Sequence, residues 1–264
     1  MPWGASARYF GAVALPADDF RELSTLLYGA GERYRSVRAT VRHRRRGDPA
    51  TEALGRYVGY GFRRGILHNL DPPYGEPRPR ECGGLDELSR LWHERPNRWR
   101  QETDASDGSG TVYRVADGEG PWWFFGPPGW ADYSPTNRGE FSAERELSAL
   151  LDPYELRQDE VRYSIRGTET RTFGRGSAVV VRRTLEAEAI SWDHAPLEPF
   201  WEGADDYVLS VDAEVGVVLR VASRLRGEQF DVSKVVDLAF DEKFAEGTFR
   251  LELPGVEFRR ARDH

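Results

Sequence analysis

The chain has almost no sulfur. One cysteine, Cys82, and one methionine, Met1, occur in 264 residues, so no intrachain disulfide can form. A lone cysteine beside Gly83 and Gly84 reads as a small packing residue, the usual role of a solitary cysteine. Lysine is nearly missing as well. Of 37 basic residues only Lys234 and Lys243 are lysines, a bias that reads as codon usage of a GC-rich genome. No stretch approaches the roughly 18 apolar residues of a membrane span. The apolar patch near residues 11–15 is cut short by Pro16, Asp18 and Asp19, too soon for a secretory leader. The expectation is a cytoplasmic protein without a transmembrane segment.

Motifs for metal, cofactor and catalysis are missing too. The histidines His43, His68, His93, His194 and His264 form no paired spacing of the metal-binding kind. The stretch GYGFRRG at 59–65 is not placed between a strand and a helix, as a dinucleotide loop must be. Ser191, Asp193 and His194 fall within four residues, where strand alternation turns them to different faces, and no GxSxG elbow accompanies them. We therefore expect no cofactor and no enzyme. The net charge of −7 speaks against a nucleic-acid partner. The run RHRRR at 42–46 lies at a strand end, with most of its charge expected to face solvent.

What is present is 39% hydrophobic and 12% aromatic content, enough for one substantial domain. Residues 18–33 read as a helix, with Leu23, Leu26, Leu27 and Ala30 at helical spacing and glycines at its end. In 34–46, Val37, Ala39 and Val41 alternate with Arg38, Thr40 and Arg42, a strand with one buried face. Residues 47–84 are rich in Pro and Gly and read as an insertion with a short helix near 51–62. From residue 85 the pattern is mostly β. LSRLWHE and RWRQET flank one turn, and TVYRVA and PWWFFG flank another. A helix at 142–151 precedes the long strands EVRYSIRGTETRTF and SAVVVRRTLEAEAI. DYVLSVD, GVVLRVASRLR and FDVSKVVDLAF follow, and FRLELP reads as a last strand. Strands so spaced, joined by tight turns, predict an antiparallel sheet or barrel.

PWWFFG raises a particular question. Alternation puts Trp122 and Phe124 on one face and Trp123 and Phe125 on the other. Both faces are apolar, so the sheet is covered on both sides here, or one side lines an apolar cavity. Each ring buries about 150–250 Å². Either reading makes this strand a dominant apolar feature.

The order of these elements, above all 205–253 with VDAEVG, VVLRV, a G-E-Q turn and FDEKFAEGTFRLELP, resembles the lipoprotein-carrier (LolA-like) superfamily. Phe240, Asp241, Glu242, Phe249 and Pro254 match its closing block, and the resemblance spans about 85–258. It implies an α+β fold, mainly antiparallel β: a strongly curved, incompletely closed half-barrel with helices on the concave face and an apolar cavity between. Relatives use that cavity to carry acyl chains or lipids, or to sense envelope lipoproteins. The implied function is non-catalytic binding of a hydrophobic, lipid- or acyl-like ligand. Candidate lining residues are Trp99, Trp122, Trp123, Phe124, Phe125 and Trp130. The alternative is an interaction or regulatory module in which the same sheet binds a protein partner, with 47–84 as a further contact.

Overall fold

A computed structural model describes residues 25–27, 29–63, 81–104, 108, 110–118, 122–126, 130–134, 150–151, 163–173, 176–185, 203–252 and 258–260. For 57–63, 122–126, 130–134, 163–173, 176–185 and 258–260 the description is of the helix or strand they form. Other parts of the sequence reading, among them Ser191, Asp193 and His194 and most of the helices expected at 18–33 and 142–151, lie outside these residues.

Twelve strands among the described residues form one sheet. They are β1 (Ser36–Arg45), β2 (Leu85–Glu94), β3 (Arg98–Asp104), β4 (Thr111–Ala116), β5 (Trp122–Gly126), β6 (Trp130–Ser134), β7 (Tyr163–Phe173), β8 (Gly176–Leu185), β9 (Asp206–Asp212), β10 (Val218–Leu225), β11 (Glu228–Phe240) and β12 (Phe258–Arg260). Their order is β12-β6-β5-β4-β3-β2-β1-β11-β10-β9-β8-β7. All neighbours are antiparallel except β12 and β6, which run parallel. The two ends of the sheet, β12 and β7, are not paired with each other, so the sheet is open rather than a closed barrel. The predicted antiparallel sheet is thus present.

Turn chemistry sets the hairpins. Asp212 Oδ1 accepts the backbone N–H groups of Glu214 at 2.9 Å and Val215 at 2.8 Å, shaping the β9–β10 turn. Arg226 and Gly227 both have positive φ, at 52° and 81°, as a two-residue hairpin loop of matching twist requires.

The sheet has a buried inner face and a charged outer one. On β1, Val37, Ala39 and Val41 are buried, and their partners on β2 and β11 include Leu91 and Leu238. Tyr207, Leu209, Val211 and Val221 continue the inner face through β9 and β10. Against it lie Leu26 and Leu27 from the N-terminal helical turn, and fully buried Leu150 and Leu151. Helix α1 (Gly47–Arg63) adds Ala50 and Ala53 to the same core, so the segment read as an insertion contributes buried side chains. Asp48 and Pro49 in its first turn suit a helix start.

One expected element is replaced. FRLELP forms no strand over its described residues, 249–252. Residues 241–252 instead cross the outer face: Asp241 N–H donates to the Ser36 carbonyl at 2.8 Å, and Arg100 donates to the carbonyls of Thr248 and Arg250, each at 3.2 Å. Phe249 is buried under Arg98, whose guanidinium lies 4.6 Å from the ring centre.

Candidate functional site

The inner face changes character along the sheet. Through β1 and β9–β11 it is filled mainly by apolar side chains, with Ser223, Asp231 and Ser233 buried among them. On β2 and β3 a polar band replaces them. Ser89, Gln101 and Thr103 are all buried. The Ser89 and Thr103 hydroxyls lie 2.8 Å apart, and Gln101 Nε2 donates to Thr103 Oγ1 at 2.9 Å. These bonds satisfy groups that would otherwise be costly to bury.

His93 and Trp99 face each other in register at one end of this band, and Trp99 pairs in turn with Ala116 on β4. Trp99 is fully buried and His93 nearly so. The ring of Tyr34 meets His93 edge-on, centres 6.3 Å apart. Burial lowers the His93 pKa to about 4, helped by the charge of Arg95, so the imidazole is neutral at pH 7.

Beyond the band lies the aromatic strand. Gln101 pairs with Arg114, and Arg114 with Phe124. Val115 pairs with Trp123, and Trp123 with Tyr133 on β6. Phe124 therefore shares a sheet face with Gln101 and Arg114. Of the six aromatic residues singled out in the sequence, Trp99 sits on β3, Trp122, Trp123, Phe124 and Phe125 on β5, and Trp130 on β6. Three neighbouring pairs of strands thus bring these positions into one patch of sheet. The side chains of the last five lie outside the described residues.

The outer face is ionic. Arg42 binds both oxygens of Asp86, at 2.7 and 2.8 Å, and Arg44 adds a third contact at 3.2 Å. The hydrogen bonds of Arg42, then of Arg44, hold the Asp86 carboxyl near pKa 2. Arg90 pairs with Asp104 at 2.7 Å and Arg100 with Glu102 at 2.7 Å. The run RHRRR is split by alternation: Arg42 and Arg44 point out, whereas His43 and Arg45 turn in and each contact Asp231 Oδ1 at 2.9 Å. That inward ion pair was not legible locally, since Asp231 is 186 residues from Arg45.

Among the described residues no group of three His, Cys, Asp or Glu side chains is arranged to hold a metal. No helix among them is long and apolar enough to cross a membrane. Residues 59–63 form the end of α1 rather than a loop opening a helix.

Fold and faces together define an open antiparallel sheet with a core and helical cover on one side and an ionic lattice on the other. Solved structures of the same class include MucB, with a TM-score of 0.50 at 15% identity over 89% of this chain and 64% of MucB. This chain therefore spans less than two thirds of the length of MucB. An uncharacterized conserved protein from Thermus thermophilus gives 0.48 at 11% identity, over 92% of this chain and 99% of its own. A LolA superfamily protein from Nitrosomonas europaea gives 0.32 at 9% identity, over 86% and 96%. A LolA superfamily protein, the resemblance read from the sequence, is thus among the structural matches, and the likeness to MucB, at 15% identity, is one of fold alone. No protein-family model matches the sequence, and no curated protein does.

Proposed function

We propose that the protein binds a hydrophobic, lipid- or acyl-like ligand between the inner sheet face and its helical cover, over the β3–β6 end, without catalysis. One observation carries this reading. The inner face is divided by the Ser89–Gln101–Thr103 band into a mainly apolar core already filled by its own side chains and a region where β5 sets Trp122 and Phe124 on that face by register. An apolar surface with a few convergent polar groups suits an amphiphile, its chain against the aromatic strand and its polar end toward the band. The fold likeness to a LolA superfamily protein is in keeping with a curved half-barrel of this kind.

Isothermal titration calorimetry with a long-chain fatty acid tests it. Burial of the chain should give saturable binding with a negative heat-capacity change. No binding heat at any temperature would count against the reading. A second reading, a protein-binding module, has one point in its favour: MucB, which shares the fold, occurs in complex with MucA of Pseudomonas aeruginosa. A stoichiometric protein partner in a pull-down, with no fatty-acid binding, would favour it.

A further inference from the structure

β11 is bulged twice. In its pairing with β1 the register skips Val236, and in its pairing with β10 it skips Phe230. A groove of about 640 Å³ lies over this stretch on the outer face. Its charged lining is Arg42, Arg44, Arg45, Arg46, Lys234 and Asp86; Arg42 and Arg44 share Asp86, Arg45 is held by Asp231 and Arg46 by Glu228, which leaves Lys234 as the cation of the lining with no carboxylate among the described residues.

The cross-strand row through Lys234 sets like charges against one another. Lys234 stands directly opposite Arg42 on one side and Arg220 on the other, three cations in one row across β1, β11 and β10. Like charges directly opposed destabilise a sheet. Arg42 has Asp86, and Arg220 donates to Gln229 Oε1 at 2.7 Å. Among the described residues no carboxylate is within ion-pair distance of Lys234 or Arg220. Burial also lowers the pKa of Arg220, so its charged form gains from a nearby anion. The bulge at Val236 matters as well. It leaves that side chain 52% exposed, the one large hydrophobic residue so exposed among those described, and it lines the same groove. Cations beside an outturned aliphatic group match a phosphate at an apolar boundary better than a phosphate in water.

We propose that this groove binds the phosphate of an anionic phospholipid headgroup at Lys234, beside Arg42, with Arg220 next in the row just outside the lining and Val236 toward the lipid. The site is on the sheet face opposite the apolar-ligand region, so either can fail without the other.

The test is sedimentation of the full chain with phosphatidylcholine vesicles, with and without phosphatidylglycerol, beside calorimetric titration of inorganic phosphate. The wild-type chain should bind only the anionic vesicles. Lys234→Glu reverses one charge, a change of two units, and at the strength of a basic residue near an anionic surface this weakens binding about 30-fold. Glu between two arginines replaces repulsion by attraction, so Tm should hold or rise, and unfolding cannot mimic the loss. Lys243→Glu makes the same change in net charge outside the groove and should leave binding nearly intact. Phosphate binding that Lys234→Glu abolishes, without vesicle binding, supports the phosphate site with a soluble ester as its source. Equal losses in the two variants, equal affinity for duplex DNA, or no binding to vesicle or phosphate overturns the proposal.

Discussion

The Tyr34 hydroxyl donates a hydrogen bond to the backbone carbonyl of Leu151 at 3.1 Å. Tyr34 lies just before β1, and Leu151 is 117 residues further on, so the bond fastens the mid-chain helical residues to the inner face. Tyr34 also stacks at a tilt on Phe240, ring centres 5.4 Å apart, and therefore packs the start of β1 against the end of β11. Tyr34→Phe keeps the ring and removes the donor. It should cost about 1–2 kcal/mol, the penalty for a buried carbonyl left without its partner, read by urea denaturation. No change in midpoint would show that the helical residues are held by apolar packing alone.

His93 makes stability depend on pH. Its folded pKa is about 4 against about 6.5 in an unfolded chain. Between those values the unfolded chain binds more protons, so stability falls as pH is lowered from 6.5 toward 4. The contribution from this one group is at most about 3 kcal/mol. His93→Leu should flatten the slope in that window, measured by denaturation at several pH values. The Asp86 carboxylate acts lower, with stability lost as pH falls below its ordinary range toward 2.

Asp241 closes the end of the fold. Its backbone has φ 56°, a conformation that Asp tolerates better than most residues. Its Oδ1 accepts the N–H of Arg35 at 2.7 Å. Asp241→Ala loses that acceptor in a left-handed position and should destabilise by about 1–3 kcal/mol. Asp241→Asn keeps both features and should recover most of the loss in the same thermal melt.

Gly203 fits where no side chain can. Its φ is +77°, and a Cβ there would stand 1.9 Å from the Ala53 carbonyl oxygen of α1. Gly203→Ala should cost about 2 kcal/mol or more through strain alone, with the clash added. A near-neutral melt would mean that α1 moves freely against this turn.

Much of the sheet is written in short-range pattern. Val37, Ala39 and Val41 against Arg38, Thr40 and Arg42 gave the two faces of β1 by alternation, and the structure buries the first three. Register irregularities are not written there. The skipped residues Val236 and Phe230 depend on the strands paired with β11, not on its own period. The segment around Phe249 alternates as a strand would, yet its carbonyls at Thr248 and Arg250 are taken by Arg100 from β3. Local pattern could mark Trp122–Phe125 as unusual. Only the pairing of Phe124 with Arg114, and of Arg114 with Gln101, relates that strand to the buried polar band.

The most direct test of a ligand region beside the aromatic strand is native mass spectrometry of the purified chain. Before and after organic extraction, it should show a lipid-like adduct that extraction removes and added fatty acid restores at one per chain. Protein that arrives free of adduct and takes up no fatty acid would contradict the account.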